Sequence, residues 1–189
     1  MQATMPIVQD QIHAFAGSGS ELGQIELERI FNEHKDLVFH AAYRVTGNSS
    51  DAEDVLQTVF LRLMRSPQST EVRYLPAYLH RAAVNAALDL LRARKDSRNL
   101  PLEEQSEIAG ASSAAIRQET GELQAWLRRA LAQVNPAWAE MFVLRFVEGY
   151  GNREIARMTG TSAAAVAVAL HRTRAHLRKD YMSMTRGRR

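Results

Sequence analysis

The chain contains no cysteine. That excludes disulfides, zinc–cysteine sites and thiol catalysis. No apolar run approaches the ~20 residues of a membrane span. The N-terminus also lacks the charged-then-apolar order of a secretory signal. The lack of cysteine fits a reducing cytoplasm, and a cytoplasmic protein without membrane insertion is the expectation. Strand signals are almost missing as well, and helical periodicity takes their place. Nothing in the sequence asks for a cofactor. Charge of one sign does not dominate, since 24 Lys and Arg stand against 21 Asp and Glu. The 189 residues suffice for one large domain or two small ones.

The small net charge is unevenly placed. The first half mixes acids and bases, whereas bases outnumber acids from Gly121 onward and the chain ends in Arg186, Arg188 and Arg189. Such a basic half attracts phosphate backbones without specifying sequence. Within it, GNREIARMTGTSAAAVAVALHRTRAHLR at 151–178 is the most informative stretch. Asn152 is a candidate cap for a short helix with Ile155, Ala156 and Met158 inside. Gly160 stands where that helix must stop, because glycine takes the left-handed position at little steric cost. Ser162 can cap the next helix. There Val166, Leu170, Thr173 and Leu177 share one face, while His171, Arg172, Arg174, Arg178 and Lys179 lie mostly off it. Small Ala156 lets the two helices approach. An ordinary helical hairpin with a solvated basic face is the plainer reading. The agreement of cap, glycine, small residue and basic second helix favours a helix-turn-helix that enters a DNA major groove.

The rest of the chain reads as all-α. Residues 1–20 form a weakly patterned N-terminal arm. A helix is expected from Glu21 to Val45, with Leu27, Ile30, Phe31, Leu37, Phe39, Ala41 and Val45 on its apolar side and Gly47 at its end. Ser50 and Glu53 make a capping-box pattern for the next helix, whose buried face is Ala52, Val55, Leu56, Val59, Phe60 and Leu63. Ser66 and Pro67 break it. Pro76 opens a helix running to about Lys95, with Leu79, Ala82, Ala83, Ala86 and Leu90 inside. Residues 96–120 hold Pro101, Gly110, a Ser/Ala run and several acids, as a flexible linker does. A second unit begins near Gly121, with Leu123, Trp126, Leu127 and Leu131 pointing one way. Asn135 and Pro136 start its next helix, which carries Trp138, Met141, Phe142, Leu144 and Phe146. The expected architecture is two small helical domains, 21–95 and 121–181, joined by a flexible linker, with a basic tail at 182–189.

Three segments in this order resemble the sigma-70 family of bacterial RNA polymerase sigma factors, in its extracytoplasmic-function (ECF) type with only sigma-2 and sigma-4 domains. DAEDVLQTVFLRL at 51–63 looks like the family's core-polymerase-binding helix. YLPAYLHRAAVNAALDLLR at 74–92 looks like its promoter-melting segment, and the stretch from Phe142 to Arg178 like its helix-turn-helix with lead-in. The resemblance implies a promoter-specificity subunit, not an enzyme, whose partners are core RNA polymerase and promoter DNA. An anti-sigma factor is a further partner that comes with the family.

Residue by residue, the resemblance and the helical spacing give three candidate sites. Positions 50, 54, 57 and 61 form one stripe of the helix from Asp51, with Glu53 beside it. Glu53, Asp54 and Gln57, flanked by Phe60 and Leu61, are the expected polymerase-binding set. For Asp51, helix capping is explanation enough. Arg81, Asn85, Asp89 and Arg92 recur at about four residues and share a polar side, where the family contacts the minus-10 element. Asparagine can bond a base edge, and arginine can hold a phosphate or stack on a base. Tyr78 stands where the family often has tryptophan, and packing is its expected role. For the duplex minus-35 element the set is Arg145, Ser162, Ala164, Val168, His171 and Arg172. Ala167, Val168 and Ala169 replace a commoner Lys, Ser and Arg run, so readout there would lean on methyl contacts, groove shape and Arg172.

Two other readings compete. A conventional helix-turn-helix regulator would bind duplex operators without polymerase, and it leaves Asn85 and the strip from Asp51 to Phe60 without a job. An enzyme using Asp51, Glu53 and Asp54 on a divalent metal lacks a histidine or second acidic motif nearby. His34, His40 and His80 read as surface or packing residues.

Overall fold

The computed structural model describes residues 21–65, 75–96 and 114–186, with the side chains of 25, 27–65, 75–95 and 120–186. The expected N-terminal arm, the break at Ser66 and Pro67, most of the linker, and Arg188 and Arg189 lie outside them. The described residues form helices and no strand: α1 (Glu21–Thr46), α2 (Ser49–Arg65), α3 (Leu75–Asp96), α4 (Ala114–Leu131), α5 (Pro136–Phe146), α6 (Asn152–Thr159) and α7 (Ala163–Arg186). The first three pack on one another, and α7 packs against α4, α5 and α6.

In the first unit the apolar stripes meet as the spacing requires. Ile30, Phe31, Val38 and Ala42 of α1 face Val55, Leu56, Val59 and Phe60 of α2 and Leu79, Ala83, Val84 and Leu88 of α3. Phe31 and Phe60 meet edge to face at 4.9 Å. Burying side chains of this size stabilises a fold by about 1.5–3 kcal/mol each. On α1, Leu37 and Phe39 are only half-buried, whereas His34 and Val38 are inside. The inward stripe runs through 31, 34, 38, 41 and 45, and Phe39 falls on its shoulder, stacked on Tyr43.

The start of α2 differs from the expected capping box. Asn48 is the cap: its Oδ1 accepts the Asp51 N–H at 3.1 Å. The Asp51 carboxylate is buried and bonded by both terminal nitrogens of Arg94, which ties the end of α3 to the start of α2. Gly47 at the α1–α2 turn is required by its left-handed backbone. Its φ is +70°, and a Cβ there would lie 1.7 Å from the Arg128 guanidinium. Arg128, on α4, donates from Nε to the Val45 carbonyl at 3.3 Å near the end of α1.

In the second unit α4 begins at Ala114, inside the expected linker, and runs through Gly121 without a break. Asn135 caps α5 by accepting the N–H groups of Ala137 and Trp138. Gly151, not Asn152, precedes α6, and the Glu154 carboxylate accepts its N–H at 2.7 Å. Gly160 adopts the left-handed conformation that ends α6, and Ser162 Oγ accepts the Ala165 N–H at 3.1 Å to start α7. Val166, Leu170, Thr173 and Leu177 face inward as expected, and Ala169 joins them. Trp126 bonds Asp180 through Nε1 at 2.7 Å and meets Tyr181 edge-on, so the C-terminal half of α7 is held against α4. Residues 182–186, expected as tail, continue α7.

The two units are docked. Helix α3 lies against α5 and also touches α4 and α6, and one apolar core runs through both units.

Candidate polymerase and nucleic-acid interfaces

On α2, Glu53 and Asp54 are exposed and Gln57 and Leu61 half-buried, so four of the five expected polymerase contacts form one open strip. Phe60 does not belong to it. It is 1% exposed, inside the core against Phe31. One residue is a 100° turn of the helix, and that turn carries Phe60 from the Leu61 side onto the inward line of Leu56, Val59 and Leu63. Nor do Asp51, Glu53 and Asp54 converge as a metal site would demand. Asp51 points inward to Arg94 while its neighbours face solvent, and no group of three candidate ligands occurs among the described residues.

On α3 the structure brings Arg81 and Asn85 together. Both donate to Glu140 Oε1 of α5, Asn85 from Nδ2 at 3.0 Å and Arg81 from Nε. Arg81 Nη1 also donates to the Met158 carbonyl of α6 at 2.7 Å. Asp89 and Arg92 pair with each other at 2.8 Å, a turn further on. Tyr78 is 38% exposed. It lines, with Arg62, Arg81 and Asn85, a depression between α2 and α3.

Beside Arg81 and Asn85 lies a group that sequence reasoning missed. Glu148, in the turn after α5, accepts from Arg44 Nε at 2.8 Å and Arg44 Nη2 at 2.5 Å, and its Oε2 lies 2.7 Å from His80 Nε2. The other ring nitrogen of His80 lies 3.3 Å from the Tyr150 hydroxyl. The side chains of His80 and Glu148 are 4% and 3% exposed. Burial by itself would raise the Glu148 pKa, but the hydrogen bonds from His80 and Arg44 outweigh it and hold the carboxyl at about 2. The same carboxylate raises the Arg44 pKa. Burial, then Glu148 and Glu154, raise that of Tyr150. A signal did exist for Glu140, a lone acid in the apolar run PAWAEMFVLRF. Glu148 and His80 carried none, since a loop acid and a single histidine are ordinary in sequence.

On α7, Ser162, Ala164, Val168, His171 and Arg172 are all exposed, and Arg174, Arg178 and Lys179 extend the same basic surface. Ala169 is buried, so its small side chain serves packing and is not an absent reader. The Arg172 guanidinium sits 5.4 Å from the Trp138 ring, and that of Arg174 sits 4.5 Å from Phe146. The rings of α5 thus hold two cations of α7 in place. Arg145 is exposed and donates to the Tyr150 carbonyl at 3.0 Å, bracing the turn between α5 and α6. No described helix is long and apolar enough to cross a membrane.

Comparison with known proteins places these elements. The sigma-70 region 2 family model matches residues 30–97, and the sigma-70 region 4 model matches residues 124–177. The RNA polymerase sigma factor CarQ of Myxococcus xanthus is 34% identical over 158 residues, which cover 82% of this chain and 89% of CarQ. The ECF RNA polymerase sigma factor SigE of Mycolicibacterium smegmatis is 32% identical over 171 residues, 89% of this chain, and the match spans 66% of SigE. Among solved structures, the sigma factor RpoE of Bartonella quintana, crystallised with the anti-sigma factor NepR, has a TM-score of 0.51 at 18% identity. That match covers 83% of this chain and 97% of RpoE, a likeness of fold. With both of its helical units matched in order, the chain belongs to the ECF type of sigma-70 family RNA polymerase sigma factors.

Proposed function

We propose that this sigma factor divides its work among three surfaces and acts by binding alone, in the cytoplasm beside core polymerase. The strip Glu53, Asp54, Gln57 and Leu61 docks on core RNA polymerase, with its acids meeting arginines and Gln57 adding hydrogen bonds. Arg81, Asn85, Asp89 and Arg92 of α3 take the minus-10 strand as it opens, Asn85 at a base edge and the arginines at phosphates. Capture of unstacked bases offsets the cost of opening the duplex. Arg145 and the exposed side of α7, from Ser162 to Arg172, rest on the minus-35 duplex. With Ala164 and Val168 at the front of that helix, methyl contacts and groove shape carry much of the readout.

The observation that carries this reading is the coexistence of an open acidic strip on α2 with a convergent Arg81–Asn85 pair on α3. A conventional operator-binding regulator has use for neither. An anti-sigma factor, such as the Bartonella quintana protein has in NepR, is a fitting further partner for two helical units on a linker.

The test is transcription in vitro with purified core polymerase on a promoter library, with and without the protein. New, sequence-specific start sites that depend on the protein are expected. Tight duplex binding by the protein alone, with no new initiation, would instead establish a conventional regulator. For the polymerase strip, Asp54→Lys should weaken pull-down of core polymerase by about tenfold or more with unchanged helicity. Unaltered capture would remove Asp54 from the interface.

A further inference from the structure

We propose that the far half of α7, beyond the segment assigned to the minus-35 element, is a second DNA surface. It grips phosphates of the flanking duplex through Arg178, Lys179 and Arg186 and reads no bases. The inference rests on the placement of Ser162 to Arg172 on duplex DNA made under the proposed function, and extends that contact along the same helix.

The helical period carries the argument. One residue turns an α-helix by about 100°, so steps of four, eleven, fifteen, eighteen and twenty-two residues return within about 60° of the starting line. From Ala164 that line runs through Val168, Ala175, Lys179, Met182 and Arg186, and all of these residues are exposed. Arg178 stands beside Lys179 on the same side and is exposed as well. The inner face of Val166, Leu170, Thr173 and Leu177 is opposite. The side of α7 offered to the minus-35 duplex therefore does not stop at Arg172. It continues without a break for about four more turns, to Arg186.

The chemistry changes along this line. Its first part is Ala164 and Val168, which can touch a thymine methyl but hold no charge against a phosphate. Its second part is basic. The 24 residues of α7 contain a single acid, Asp180, which is turned inward to Trp126 Nε1 at 2.7 Å. Among the described residues no carboxylate pairs with Arg178, Lys179 or Arg186. Arg174 differs, since its guanidinium sits 4.5 Å from the Phe146 ring, off the line.

Distance decides what the basic part meets. At about 1.5 Å per residue, Arg178 and Lys179 stand roughly 15 Å beyond Val168, and Arg186 roughly 27 Å beyond it. A major groove is about 12 Å wide. A helix seated in the groove at Val168 thus carries Arg178 and Lys179 past the groove edge, where the phosphates are. Cations placed there add affinity by releasing counterions, whatever the base sequence. A recognition helix fronted by alanine and valine has few base contacts, so this contribution weighs more for it than for a helix rich in polar readers.

The test uses holoenzyme assembled from core polymerase and the full-length protein. Fluorescent promoter duplexes end at the minus-35 element or extend beyond it by about two helical turns, roughly 20 base pairs. Each is made with an intact and with a scrambled minus-35 element. Affinity is read by anisotropy over a range of salt concentrations. Arg178→Gln with Lys179→Gln is compared with Arg172→Ala and with the unaltered protein. Both glutamines stand at exposed positions and suit a helix.

The extension should strengthen binding of the unaltered protein. The double variant should lose that gain, about tenfold in affinity, equally on intact and scrambled elements. Its slope of log affinity against log salt should be shallower by about 2, one for each cation removed. Arg172→Ala should instead narrow the preference for the intact element. An unchanged slope and affinity in the double variant would overturn the flanking surface, and the minus-35 assignment would survive if Arg172→Ala still acts. No effect of either change would overturn both. Weaker capture of core polymerase by the double variant, with DNA binding per holoenzyme unaltered, would give this face to an acidic protein surface and overturn the proposal.

Discussion

The polar sides of α3 and α7 are built alike and placed differently. Each is a helix whose inner stripe is apolar and whose outer side carries arginine with few competing acids. On α7 that side faces solvent, with Arg172 and Arg174 resting on aromatic rings of α5. On α3 the same kind of side is turned into the molecule, and Arg81 and Asn85 are bonded to Glu140. On the proposed reading the α7 side is open to a duplex, whereas two of the α3 donors are already bonded within the protein. Equivalent local chemistry can thus stand open or be bonded internally, and only the docking of the two units distinguishes them.

The sharpest way to break this comparison is Asn85→Ala in the holoenzyme. A good base contact is worth about 1–3 kcal/mol, so promoter opening, read by permanganate footprinting, should fall by up to about a hundredfold with polymerase binding intact. Equal opening would leave α3 with a packing role only.

A second separation comes from pH. Glu148 is held at about 2 against an ordinary value of 4.5, so it binds a proton more tightly once its partners are gone than in the folded protein. Its contribution to stability is present above pH 4.5 and is lost as pH falls from there through about 2. The groups facing it are Arg44, His80 and Tyr150. Stability in denaturant unfolding should decline across that window, while Glu148→Gln shows a flatter profile. The α7 surface should show no matching change, since Arg172 and Arg174 rest on aromatic rings, which do not titrate.

Smaller effects are expected on the open surface. Arg172→Ala should weaken minus-35 duplex binding by about 1 kcal/mol, roughly fivefold, from the loss of one cation held on Trp138. No loss of promoter dependence would remove Arg172 from the readout. Ser162→Ala removes the cap of α7 and should lower stability by about 1 kcal/mol in denaturant unfolding, leaving the α3 surface unaltered. A change of similar size in promoter opening would mean that the two surfaces are coupled through the docked units.

Much of this arrangement was legible before any coordinates. The helix-turn-helix was read from Gly160, Ser162 and the Val166–Leu170–Leu177 line, and all three hold for local reasons: a left-handed stop, a hydroxyl cap and a 3.6-residue period. Asn135 and Pro136 were equally plain. Errors arose where two local solutions compete. Ser50 with Glu53 and Asn48 by itself can each cap α2, and the choice fell to Asn48 once Asp51 was committed to Arg94 from α3. Phe60 was expected both on the buried face and in the polymerase strip, and its contact with Phe31 settles it on the buried face that the helical period had already indicated. Ala169 looked like a missing polar reader until its inward position was known.

The sequence by itself determined the helices and most of their inner faces, because period, caps and breakers act within a few residues of each other. It determined the family as well, through motifs that are contiguous along the chain. Tertiary structure alone decided that Glu140 and Glu148 meet Arg81, Asn85, His80 and Arg44. Those partners lie in separate units on either side of the linker. Their union depends on how two packed bodies dock, a balance of desolvation and pairing that no stretch of neighbouring residues encodes.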